Sequence, residues 1–435
     1  MALRFVDMPN EIIANILDYA SRSSLSSLAL VSRRFTSLIV PRLYKSVFYD
    51  PEHQSSEEIP HASTKIHSLD SLLNALEKNE NLRSLIVDAK LIWGRLLCDR
   101  DANRGAITRL LGVMTHLRTL KIRPGDIYFT HARSDQISSL HMCIAQGRMV
   151  GMDVLEPLLT KKSLRNLSMT TIQNWAGLAK TTENAANAQN INFKSSISYL
   201  AVSSSICSAS AMQAILHAPK ALISLHYHYR GRQLQNDNAV TPANFPEPLL
   251  AQQSSLNELV IHAQPHQHIS QQHPIGYVMK SMRSFVALKR LALPAWWMVH
   301  PSISNRERQI TKTSCLVKLV ERIPPNLEVL QIQLEEIRLH CRNQVQYDHI
   351  SRNENVIARY DMLLSWLGEI AESKHLYAQA LKEVIVWSSS PKLLHEDKMR
   401  QDSGIERVFL EQGIDIRFFI CRPDSPVLFG VNTGV

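Results

Sequence analysis

The chain has 435 residues, a formal charge of +9 and 45% hydrophobic residues, enough to bury one elongated core or two compact ones. Its longest apolar runs, such as Leu28 to Val31, fall far short of the ~20 residues of a membrane span. The charge is scattered, with no basic run interleaved with aromatics, so neither a membrane nor nucleic acid is expected as a partner.

Cys98, Cys143, Cys207, Cys315, Cys341 and Cys421 form no Cys-x-x-Cys pair and read as buried free thiols in a reducing compartment. No secretory apolar region precedes Asp7 and Pro9. The expected setting is the cytoplasm, the nucleus or both.

Three short helices are predicted in the first fifty residues. Pro9 suits the first helical position, Glu11 faces the positive end of the dipole, and Ile12, Ile13, Ile16, Leu17 and Ala20 recur at helical spacing. Ser23 or Ser24 can cap a second helix carrying Leu25, Leu28, Ala29 and Val31. Ser32 can cap a third, with Phe35, Leu38 and Ile39 on its face. So small a unit cannot hide that much apolar surface within itself, and the excess should form an exposed patch for a partner.

The run Met8-Pro9-Asn10-Glu11-Ile12-Ile13, followed by Leu30-Val31-Ser32-Arg33-Arg34-Phe35, resembles an F-box. Met8 stands where the family usually has Leu, a volume-conserving swap, and Ser32 where Cys is frequent. The tail Pro41 to Val47 is similar to the sequence after the box in fungal members. This resemblance implies docking on a small Skp-type adaptor, and through it on a cullin and a ubiquitin-conjugating enzyme. The positions it implies for docking are Met8, Pro9, Ile12, Ile16, Leu17, Leu25, Leu28, Val31 and Phe35, with Arg33 at the rim. Residues 1–49 are assigned to the box and its exit, and residues 50–63, rich in Pro and Glu, to a polar linker.

From residue 64 to 435 a short aliphatic-x-x-aliphatic-x-aliphatic motif returns nine times, beginning at Leu82, Leu117, Leu164, Ile197, Leu222, Leu256, Leu288, Leu327 and Leu381. Alternation over the last four residues of each copy predicts a short strand with one buried face. Amphipathic stretches lie between copies: Ile66 to Leu76, Ile107 to Met114, Met212 to Leu216, Leu316 to Ile323 and Val356 to Ile370. The pattern resembles leucine-rich repeats in a degenerate form, lacking the family's Asn or Cys in every copy. The expected fold class is α/β: a three-helix F-box, then an irregular α/β solenoid of short parallel strands alternating with helices. The stretches Thr181 to Asn192 and Gln233 to Pro248 read as long loops.

The residues between the buried aliphatics should project from one face: Ser84, Thr119, Lys121, Asn166, Ser168, Tyr199, Ser224, His226, Glu258, Arg290, Gln331, Glu383 and Trp387. No catalytic trio converges in this list. It suits recognition of a protein surface, with Tyr199, His226, Arg290 and Trp387 as the target-binding candidates. His262, His266, His268 and His273 are close in sequence but lack the supporting shell a metal needs. His226 and His228 share a strand face with no third ligand, and Trp296-Trp297 reads as a core plug.

No phosphate loop, nucleophile elbow or His-Glu-x-x-His is present. Neither cofactor, metal nor catalysis is expected. The expected function is a substrate-recognition adaptor of a Skp–cullin–F-box ubiquitin ligase. The rivals are an F-box protein acting with the Skp adaptor alone, and an enzyme or metal-binding scaffold.

Overall fold

The computed structural model describes residues 7–49, 64–66, 68–91, 100–122, 136–143, 158–172, 195–204, 209–229, 245–263, 281–298, 322–334, 367–388 and 404–420. The chain divides into two compact units, Met1–Gln146 with Met152–Thr170, and Gly147–Gly151 with Thr171–Val435.

The first unit opens with three helices, α1 (Asn10–Leu17), α2 (Arg22–Ala29) and α3 (Arg33–Lys45). Pro9 occupies the position just before α1 rather than its first turn, in extended conformation. Ser21, not Ser23 or Ser24, caps α2, accepting the Ser24 N–H at 3.2 Å. Ser32 caps α3 as the sequence implies, accepting the Phe35 N–H at 3.2 Å. Ile13, Leu17, Leu25, Phe35 and Ile39 close a small core, edged by Met8, Ala20, Leu28, Ala29, Leu38 and Leu43.

Two arginines without a local sequence signal bolt α1 to α3. Arg34 donates to the Asn10 side chain at 2.8 Å and the Met8 carbonyl at 2.6 Å. Arg42 donates to Asp18, to the Ala14 carbonyl and to the Leu38 carbonyl.

The chain then enters a parallel sheet built from β1 (Ser46–Tyr49), β2 (Thr64–Lys65), β3 (Asp88–Leu91), β4 (Thr119–Ile122), β5 (Ser139–Cys143) and β6 (Asn166–Ile172). In space the order is β2-β1-β3-β4-β5-β6. Helices α4 (Leu69–Lys78), α5 (Glu80–Leu85) and α6 (Arg100–Val113) lie between strands. Leu69, Leu72, Leu73 and Leu76 of α4, and Ile107, Leu110 and Leu111 of α6 with Met114 just beyond it, are buried as their periodicity requires.

The second unit repeats the scheme with β7 (Tyr199–Ser204), β8 (Ser224–Tyr229), β9 (Glu258–Ala263), β10 (Arg290–Pro294), β11 (Val329–Leu334), β12 (Glu383–Ser388) and β13 (Asp415–Ile420). They too pair in parallel in chain order. Tyr227 stacks on Phe245, their centroids 5.2 Å apart, and Phe245 meets Trp297 edge-on at 5.3 Å. Trp297 is fully buried, filling the core behind β10.

In eight of the nine predicted copies the strand begins at the third residue of the motif, as at Thr119 and Arg290. The exception is the first. Leu82 and Leu85 lie in α5, whose Asn79 cap accepts the N–H groups of Asn81 and Leu82, and Ser84 therefore projects from a helix. The strand comes four residues later, where Ile86, Ala89 and Leu91 repeat the same spacing and are buried. Four strands were not anticipated: β1, β2, β5 and β13. β5 carries the motif intact as Ile137, Leu140 and Met142, and divides the long gap between Leu117 and Leu164.

One hydrogen-bond device recurs where an Asn ladder is missing. At many of the turns the first two N–H groups share a single carbonyl of the preceding strand's turn. Arg118 and Thr119 both donate to Val87, Ser138 and Ser139 to Arg118, and Lys289 and Arg290 to Asn257. The backbone itself therefore sets the register.

The expectation of one buried face per strand fails at β10 to β12. Ala292, Gln331, Ile385 and Trp387 are buried on the side opposite Leu291, Leu330 and Val384. The run Val384-Ile385-Val386-Trp387 is continuous rather than alternating, which suits a parallel strand covered on both faces.

Candidate functional site

The helical region divides the proposed docking residues into two groups. Leu17, Leu25 and Phe35 belong to its core and cannot be offered to a partner without unfolding it, while Met8 and Leu28 pack against that core from its edge. Pro9, Ile12, Ile16, Val31 and Arg33 remain exposed.

Ile12 is 48% and Ile16 43% exposed, and Tyr19, 93% exposed, continues their line along one side of α1. Leu30, 89% exposed, joins Val31 at the turn between α2 and α3. Tyr19 and Leu30 were missed, although Tyr19 follows Ile12 and Ile16 at helical spacing. Five large apolar side chains facing solvent on so small a unit are an interaction patch rather than scattered surface residues.

In the second unit, β7 to β9 bring four of the predicted face residues together. The Tyr199 hydroxyl lies 3.2 Å from His226 Nδ1, and His226 Nε2 lies 3.4 Å from Glu258 Oε2. Ser224 donates to the same carboxylate oxygen at 2.7 Å. The network is satisfied when Nε2–H donates to Glu258 and Nδ1 accepts the phenol proton, an assignment from geometry.

The hydrogen bond from His226 leads Ser224 and Arg290 in holding the Glu258 carboxyl below its ordinary range, against its desolvation. Burial, reinforced by Glu258, pushes the Tyr199 phenol up to about 12. The residues thus converge more than their sequence separation implied, but the phenol stays protonated at neutral pH. That suits a hydrogen-bonding surface rather than a nucleophile.

Trp387 is only 9% exposed, its ring meeting His262 edge-on at 6.2 Å. Burial and the charges of His228 and His226 push His262 down to about 4, against a hydrogen bond with Gln333. Arg290 is exposed beside Glu258 in register. Of the clustered histidines, His266, His268 and His273 lie outside the described residues, as does the loop Thr181 to Asn192. Among the described residues no group of three or more His, Cys, Asp or Glu converges to hold a metal, and no helix is long and apolar enough to cross a membrane.

Comparison with known families matches residues 5–50 to the F-box-like family, the stretch that holds α1 to α3 and β1. The chain therefore carries an F-box-like domain at its N-terminal end, the kind of module that binds Skp-type adaptors. No curated protein matches the chain.

Proposed function

We propose that this protein is the substrate-recognition adaptor of a Skp–cullin–F-box ubiquitin ligase, acting in the cytoplasm, the nucleus or both. The observation that carries the reading is the exposed line Ile12, Ile16 and Tyr19, with Leu30 and Val31, on a region matched to the F-box-like family. The Skp adaptor covers that apolar patch, and Arg33 lies at its rim. The parallel-stranded remainder acts as a degenerate, fungal-type, leucine-rich-repeat-like solenoid that holds a target protein. Its polar face around Tyr199, His226 and Arg290 is one recognition surface.

The chain is not itself an enzyme in this reading. It raises the local concentration of the target near ubiquitin activated by another subunit. The test is capture of a purified Skp-type adaptor by the full chain and by an Ile12→Asp, Ile16→Asp double variant. Loss of capture with circular dichroism unchanged supports the reading, and undiminished capture refutes it. Recovery of a cullin with the adaptor selects the ligase. Recovery of the adaptor alone selects an escort role.

A further inference from the structure

Strand β13 (Asp415–Ile420) pairs in parallel with β12, and among the described residues no strand lies beyond it. In a parallel ladder, alternate residues turn both their N–H and C=O groups to the same side. The Asp415 N–H donates to the Lys382 carbonyl at 2.8 Å, so Asp415, Arg417 and Phe419 are the residues that bond to β12. Ile416, Phe418 and Ile420 therefore aim their N–H and C=O groups outwards, where no described residue meets them.

Such an edge is ordinarily blunted by shortness, Pro, Lys or a bulge. The outermost strand of the first unit, β2, is blunted in this way, with only Thr64 and Lys65. β13 is not. It runs for six residues, Asp415-Ile416-Arg417-Phe418-Phe419-Ile420, with neither Pro, Gly nor Lys. Its two charges cancel, and both are held within the chain: Arg417 pairs with Asp415 at 2.6 Å and with Glu383 at 3.3 Å.

We propose that β13 pairs antiparallel with β13 of a second copy of this chain, joining two sheets about a two-fold axis. Such an axis matches the edge to itself, so the pair closes and does not propagate. The residues select the register. Centring on Arg417 sets two guanidiniums opposite one another, which weakens a sheet. Centring on Ile416 calls on Ile414, whose N–H already donates to the Phe409 carbonyl at 2.9 Å. Centring on Phe418 uses every outward group: Phe418 bonds its counterpart and Ile416 bonds Ile420 of the second copy, about six ladder bonds in all. Each Arg417 then lies opposite Phe419 of the second copy, a guanidinium beside an aromatic ring.

A second copy fits this edge better than an unrelated extended peptide, because the strand complements itself. It is net neutral, so two copies meet without local repulsion, and one register satisfies all its outward groups. One strand edge is a small interface, and the pair should form with a dissociation constant on the order of 100 μM. The inference rests on β13 and is independent of adaptor docking. Two joined chains would hold a target at two places, which raises avidity.

The experiment is sedimentation equilibrium of the full chain from ~1 to ~300 μM, with residue-resolved amide hydrogen exchange at both ends of that range. The mass should rise from one chain towards two. The Ile416 and Phe418 amides should exchange about threefold more slowly at the high concentration, following the dimer population. The Arg417 and Phe419 amides, bonded to β12, should be protected equally at both. Ile416→Pro removes an outward N–H and no bond to β12, so it should weaken self-association at least ~10-fold with native circular dichroism and normal Skp-adaptor capture.

A chain that stays single throughout, a dimer whose Ile416 and Phe418 amides exchange as in the monomer, or undiminished association of folded Ile416→Pro each overturns the proposal. Species that grow beyond two chains overturn the two-fold pairing. Should Ile416→Pro fail to fold, the exchange pattern of the wild type decides. Loss of adaptor capture with self-association intact sinks only the adaptor reading.

Discussion

Ile12 and Ile13 are adjacent on α1 and should respond to the same substitution in opposite ways. Ile13 is fully buried with Leu17, Leu25, Phe35 and Ile39, whereas Ile12 leaves 48% of its surface in water. Ile13→Ala removes packed methylene groups from a very small core and should cost about 2–5 kcal/mol of stability. Ile12→Ala removes nothing from that core and should change stability by less than about 0.5 kcal/mol. If the adaptor covers the exposed half of Ile12, on the order of 80 Å², its burial is worth about 2 kcal/mol, or ~30-fold in Kd.

The assay pairs thermal unfolding with calorimetric titration of a purified Skp-type adaptor. Ile12→Ala should keep the wild-type melting profile and lose affinity. Ile13→Ala should lose the first cooperative transition of the helical region. Equal affinity of wild type and Ile12→Ala, or equal melting of the two variants, refutes the assignment of outer and inner faces.

Gln252 is buried, accepts from the Leu222 N–H and the Ser255 hydroxyl, and donates to the Leu216 and Pro219 carbonyls. Gln252→Leu orphans these groups and should cost about 2–4 kcal/mol by urea unfolding, with adaptor capture untouched; a neutral result contradicts the bonding described. Gln331 is the reverse case, fully buried with its amide atoms unbonded among the described residues. Gln331→Met should stabilise by about 1–2 kcal/mol, and a loss of stability would show that the amide is satisfied. Burial leaves His141 and His262 protonating near 4 when folded, against an ordinary value of 6.5. Between those values the unfolded chain binds more protons, so stability should fall as pH drops from about 6.5 to 4, by up to about 3 kcal/mol per histidine. Urea midpoints across that range check this, and a profile left unflattened by His141→Gln and His262→Gln contradicts it.

Strand positions were legible because each buried aliphatic triplet fixes its own phase, and one face of burial is enough to reveal it. The first copy misled because Leu82 and Leu85 are also spaced for a helix, and the Asn79 cap decided in the helix's favour. β5 was legible and overlooked, since Ile137, Leu140 and Met142 repeat the motif without fault. The outward face of α1 was half legible. Helical spacing gave the stripe, but only the packing of α2 and α3 separates Ile12 from Ile13. Arg34 and Arg42 carried no local signal, because their partners lie some 24 to 28 residues away.

The most direct test mixes the purified full chain with a purified Skp-type adaptor and weighs the eluted species by light scattering during gel filtration. The account predicts a one-to-one complex that the Ile12→Asp, Ile16→Asp variant fails to form while remaining folded. Separate elution of the two wild-type proteins at micromolar concentration would contradict it.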